Sequence, residues 1–241
     1  MLVASGGPSG DVAADVTISS PGIGPQETCA APVVAGACQF TSCQVGGIGS
    51  PGPDYDDDLG PITATVGTTT VALTQNLKGL GTVVFPAPVA LGTGGIMRFQ
   101  AGEGGMVPAF DVSVTIPDVG VITSPVPATA GGAATVDTSQ DLSVTWAPIS
   151  VGQIKFRLSG GGSAPGDLAV LIACTFDGAP GSGVVPQTLL ASLKQMSGTS
   201  PVYAELSAGL DATTVVDGLT IIAESSQTPP NPASSFDVTL Q

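Results

Sequence analysis

The chain has 241 residues, with 19 acidic and 5 basic side chains, no histidine and a formal net charge of −14. Too few basic residues are present for the clustered phosphate contacts of a nucleic-acid partner, and the missing imidazole excludes Ser-His-Asp and Cys-His catalysis. Charged residues make up 10% of the chain, against about 25% in an ordinary globular domain, so Thr, Ser and Gly must carry most of the surface polarity and the acidity reads as a solubility device.

Residues 1–10 read as a flexible N-terminus, since MLVASGG is too short for a signal peptide and lacks its basic n-region. Val3-Ala4-Ser5 is similar to the residues before the acylated cysteine of a lipoprotein, but Gly6 stands at that cysteine's position, which leaves a lipid anchor as an open alternative. No apolar run approaches the roughly 18–20 residues that cross a bilayer, so no transmembrane segment is expected and the chain reads as soluble. Period-two alternation then predicts strands at 15–19, 62–66, 69–74, 96–100 and 110–116, all within a first β-sandwich over 11–116 that also holds the cysteine-bearing segment. The Pro- and Gly-containing stretch 117–132 reads as a linker. Further strands follow at 141–146, 154–159, 167–176, 202–207, 219–225 and 236–240, in a second sandwich over 133–241. One helix is expected from Pro186 onward, crossing an end of that sandwich, with Leu189, Leu190, Leu193 and Met196 at helical spacing. The 34 glycines and 21 prolines are aperiodic and punctuate these runs as turns.

The fold class is therefore all-β, an antiparallel β-sandwich pattern in two unequal domains. Phe110-Asp111-Val112 recurs as Phe236-Asp237-Val238, and ATVGT at 64–68 is echoed by ATVDT at 134–138. The offsets differ, so these are echoes and not a repeat. Each Phe-Asp-Val segment is expected to end its domain as a final strand. In SQDLSVTWAP, Trp146 ends an alternating strand where it would plug a core between sheets, and roughly residues 117–241 resemble immunoglobulin-like or fibronectin-type sandwiches. The whole is similar to uncharacterised secreted and lipoprotein β-domains of bacteria. That resemblance implies a surface role and no particular chemistry.

The four cysteines, Cys29, Cys38, Cys43 and Cys174, include no Cys-x-x-Cys pair, and with no histidine a zinc site is not expected. Disulfides are the expected state, with three pairings open. An alternative keeps Cys174, in the apolar run LAVLIAC, as a buried free thiol and leaves one clustered cysteine to link subunits.

In PDYDDDLGP, Asp54, Asp56 and Asp58 alternate and supply carboxylates on a short loop, as a calcium ion would require. Gly60 falls one place late for an EF-hand and Thr65 stands at the bidentate position, so such a site would need ligands from another loop. No other cofactor is suggested. Lys155 and Arg157 share one strand face, which reads as a solvent-facing edge that discourages strand addition. The clusters at 92–95 and 160–162 lack the lysine and helix of a phosphate loop and read as hairpin turns. Asp111, Glu103 and Glu205 are carboxylates a glycosidase could use, but nothing in the sequence pairs them.

These features point away from an enzyme. They lead to the expectation of an extracellular or cell-surface structural or adhesive protein that works through protein–protein contacts or self-association, one version being a fibre subunit joined by strand addition or disulfides. The alternative is a calcium- or glycan-binding surface module. A carboxylate-based hydrolase is the least supported.

Overall fold

The computed structural model describes residues 12–19, 28–44, 62–72, 80–84, 95–102, 108–129, 132–162, 166–217, 219–227 and 235–241. The fold is all-β, with a single helix among the described residues. In chain order the strands are β1 (Val12–Ser19), β2 (Thr28–Cys29), β3 (Val33–Ala35), β4 (Cys38–Gln44), β5 (Ile62–Val66), β6 (Thr69–Ala72), β7 (Leu80–Val84), β8 (Ile96–Ala101), β9 (Phe110–Thr115), β10 (Ile122–Ser124), β11 (Ala133–Val136), β12 (Leu142–Trp146), β13 (Gln153–Gly161), β14 (Leu168–Asp177), β15 (Ser182–Val185), β16 (Val202–Val216), β17 (Leu219–Gln227) and β18 (Ser235–Leu240). The helix α1 (Gln187–Ser197) stands between β15 and β16 in sequence.

The chain forms two compact units, each assembled from separated segments. One takes its described residues from 1–24, 51–118 and 209–228, the other from 25–50, 119–208 and 229–241. A single cut near 117–132 therefore does not describe the chain. The cysteine segment belongs with residues 119–208, and β16 runs from one unit into the other between Ala208 and Gly209. Nor is 117–132 a bare linker: β10 pairs with β12, and Ile122 is buried. Sequence alternation marks which residues face a core. It does not mark which core, because that depends on pairings between residues more than a hundred positions apart.

In the first unit, β6-β5-β8-β9 form an antiparallel sheet, and the later part of β16, then β17, β1 and β7 lie side by side. Ile62, Ala64, Met97, Phe99, Val112, Val114, Ile221 and Ala223 build its core from the inward phases of their strands, together with Ile116 just past the end of β9. Ser225 is fully buried among them, and its hydroxyl donates to the Thr115 carbonyl at 2.8 Å, which meets its hydrogen-bonding requirement. Phe110-Asp111-Val112 alternates in-out-in on β9, and Phe236-Asp237-Val238 does the same on β18 of the other unit. Phe236-Asp237-Val238 does lie on the final strand of its unit in chain order, β18, which sits between β16 and β11 in the sheet, whereas Phe110-Asp111-Val112 does not close its unit, which continues through residues 209–228.

In the second unit, β2 and β3 pair along one side of β4, and β14, β13, the first part of β16, β18 and β11 continue beyond its other side. The β11–β18 pair is parallel. A smaller sheet, β10-β12-β15, shares the core with the inner face of the larger one. Trp146 is 3% exposed, stacks on Phe176 at 5.5 Å and donates its indole N–H to the Gly178 carbonyl at 2.8 Å, so it fills the core as the alternation predicts. The helix packs against β14, β13 and β4 through Leu189, Leu190 and Leu193. Its fourth buried position is Ser197, while Met196 is 42% exposed, one residue off the buried stripe. Glycines 160 and 161 close β13 as strand residues, paired with Val170 and Ala169 of β14.

Candidate functional site

The segment 28–44 is built around β4. Ala35 and Cys38 flank a two-residue hairpin loop whose first residue, Gly36, has φ +60°, the conformation that a Gly-X hairpin loop requires. The hairpin lays β3 antiparallel on β4, pairing Val33 with Phe40. Beyond it, β2 pairs Thr28 with Gln44 and Cys29 with Cys43. Among the described residues, β2 and β3 pair only with β4, so they form the outer margin of the sheet.

All four cysteines are paired: Cys29 with Cys43, and Cys38 with Cys174. The reading of Cys174 as a free thiol is corrected, and no cysteine remains to link subunits. Both cystines join register partners on adjacent antiparallel strands. The flanking bonds Ala30 N–H to Ser42 O (2.9 Å) and Thr175 N–H to Ala37 O (3.0 Å) show that each is a non-hydrogen-bonded pair. At such pairs the side chains approach most closely, and the Cα atoms here are 4.0 Å apart in both. Cys38 and Cys174 are each 2% exposed and belong to the core, with the Cys38 sulfur 3.6 Å from the Val184 carbonyl oxygen of β15. Cys29 is exposed and Cys43 half-buried, so the second cystine lies on the outer face.

This covalently fixed margin presents apolar surface. Val33 shares a face with Phe40 yet is 56% exposed at the outermost position, and Val34, on the other face, is 68% exposed. Val34, Gln39, Ala173 and Arg157 form one outward row across four strands by register. Arg157 and Lys155 therefore lie on an interior strand, β13, flanked by β14 and β16, and not on an edge as their spacing suggested. Ile154, Phe156 and Leu158 take the inward phase of that strand, leaving the two basic residues half-buried on the outer side.

Asp54, Asp56, Asp58 and Glu103 lie outside the described residues, as do residues 1–10. The two remaining carboxylates of the hydrolase reading fall in different units, Asp111 on β9 and Glu205 on the first part of β16. Asp111 is met by Arg98, whose Nε donates to Oδ1 at 2.7 Å and whose second nitrogen reaches Oδ2, and by Gln100 Nε2 at 3.2 Å. The hydrogen bond from Arg98, aided by its charge and by Gln100, holds the Asp111 carboxyl below its usual range. Thr65 and Thr70 join hydroxyls at 2.9 Å on the neighbouring strands, and Thr65 is the register partner of Arg98.

The alternation at 167–176 marks the strand that carries Cys174, but not β2 and β4, which carry the other three cysteines. The usable signal was the phase of β4: Cys38, Phe40 and Ser42 face inward, and Cys43 falls in the opposite phase. No family model, curated protein or solved structure matches this chain.

Proposed function

We propose that the protein is a non-enzymatic extracellular or cell-surface structural or adhesive module, acting through protein–protein contacts at the β2–β3–β4 margin. The observation that carries this reading is the exposed Val33-Val34 pair on an outermost strand, beside a cystine that fixes the same margin. Outer strands offer unpaired backbone groups, which soluble proteins blunt with charge, proline or brevity; here a three-residue strand preceded by Pro32 still presents two exposed valines and no charge. The two cystines accord with an oxidising compartment. With every cysteine paired within the chain, a fibre version proceeds by strand addition and not by intersubunit disulfides.

The test is sedimentation velocity of the full chain across a concentration series. Concentration-dependent association that is lost in Val33→Lys/Val34→Lys supports the reading. A monomer at every concentration, or association unchanged in the variant, overturns the self-association form.

A second reading, a calcium- or glycan-binding surface module, draws on the Asp54–Asp56–Asp58 pattern and on the polar outer face bearing Thr65, Thr70, Arg98, Gln100 and Asp111. Thermal melting with millimolar calcium tests the first form, and an unchanged melting temperature would sink it. A silent glycan array would remove the second.

A further inference from the structure

The two cystines hold β4 in unlike ways. Cys38–Cys174 lies in the core, between two strands that each have further neighbours in the sheet. Cys29–Cys43 lies on the outer face and ties down a strand of two residues, Thr28–Cys29, whose one neighbour among the described residues is β4. Among the described residues, the segment is otherwise held by its short ladder and by the Ala30 N–H to Ser42 O bond. A two-residue ladder on one neighbour is too short to persist by itself. Access and burial, which govern thiol–disulfide exchange, therefore differ sharply between the two.

We propose that Cys29–Cys43 is a thiol-addressable latch on the β4 margin. Opening it frees Thr28–Ala30 and uncovers backbone at Ser42–Gln44, while Cys38–Cys174 stays closed and keeps the unit folded. The reductant is a dithiol. One of its thiolates attacks the exposed Cys29 sulfur, forming a mixed disulfide and expelling Cys43 as a thiolate, which takes up a proton. The reductant's second thiolate attacks its own sulfur in the mixed disulfide and releases Cys29, which is protonated in turn. Two electrons and two protons pass to the protein, and the reductant leaves as its disulfide. What becomes available is a stretch of β4 whose Ser42 carbonyl has lost its partner, a place where an incoming strand could pair. The β3 hairpin remains, because Val33–Ala35 are joined to β4 through the chain itself at the Gly36 loop.

The experiment treats the native full chain with dithiothreitol at neutral pH, quenches aliquots with iodoacetamide and maps the labelled cysteines by peptide mass. Cys29 and Cys43 are expected to label together, more than about a hundredfold faster than Cys38 and Cys174, because the core pair waits for a larger opening of the structure. Tryptophan emission, which reports on Trp146 in the core, is expected to stay unchanged in this selectively reduced state. Hydrogen exchange should then rise at Ala30 and its neighbours, and the Cys29→Ser/Cys43→Ser variant should show the same pattern without reductant. Labelling of all four cysteines at one rate overturns the proposal. So does selective labelling that leaves exchange at Ala30 unchanged.

Discussion

Cys38 and Cys43 leave β4 on opposite faces, because they stand five positions apart, an odd number, along a strand whose side chains alternate. One therefore bonds inward to β14 and the other outward to β2. The bonds close loops of very different length, with sequence separations of 136 and 14 residues. Loop-closure entropy alone assigns about 5 kcal/mol to the longer and about 3 kcal/mol to the shorter. The longer also fills the core. Cys38→Ala/Cys174→Ala is expected to lower the urea midpoint of unfolding clearly more than Cys29→Ser/Cys43→Ser. Equal losses would show that the two bonds do not differ as their burial indicates.

Helix α1 is preceded at its N-cap by Pro186, whose ring has no hydrogen-bond acceptor to cap it. The Gln187 N–H instead donates to Asp141 Oδ1 at 2.8 Å, from a residue 46 positions earlier. A carboxylate here satisfies one of the open N–H groups and complements the helix dipole. Asp141→Ala is expected to cost about 1 kcal/mol in chemical unfolding, and Asp141→Asn, which keeps the acceptor, markedly less. Equal losses in the two variants would show that the hydrogen bond is not what Asp141 contributes.

That cap shows where the sequence stops being informative. The helix was legible from Pro186 and the spacing of its leucines, but a capping residue 46 positions away carries no local signal. The strands Ile62–Val66 and Ile96–Ala101 were legible because their alternation is strict. Strand β4 was not: its core phase is Cys38, Phe40 and Ser42, and a serine in a buried position blurs the pattern. The division into units was hidden for a different reason. Residues 28–44 read as part of the first half, and it is the register of β4 against Leu168–Cys174 that assigns them to the other unit.

Gly183, on β15, faces the Phe176 ring so closely that an added Cβ would stand 2.5 Å from Cδ1. That ring stacks on Trp146, the single tryptophan of the chain. A methyl group at this position must displace the aromatic pair, at a cost on the order of 1–3 kcal/mol. Gly183→Ala should therefore lower the unfolding midpoint and shift the tryptophan emission to the red in the folded state. An unchanged emission spectrum would mean that the pair does not move.

Asp111 gives the first unit a pH dependence of definite sign in the acid range. Its hydrogen bond from Arg98 holds the folded carboxyl below the ordinary value of 3.8, so the ionised form is favoured by folding. Above 3.8 the group is ionised in the folded and unfolded chains alike, and its contribution is present in full. Below 3.8 the unfolded chain takes up its proton first, and the contribution fades as pH falls through the depressed folded value. Both partners are exposed, so the effect is small and salt-sensitive. With 19 acidic residues, acidification also relieves repulsion across the chain, so the wild-type profile alone is not diagnostic. The difference between wild type and Asp111→Asn is. Asp111→Asn should be slightly less stable near neutrality, with the gap closing as pH falls below 3.8 and narrowing at high salt. A gap independent of pH would show that Asp111 acts through packing or neutral hydrogen bonding and not through its charge.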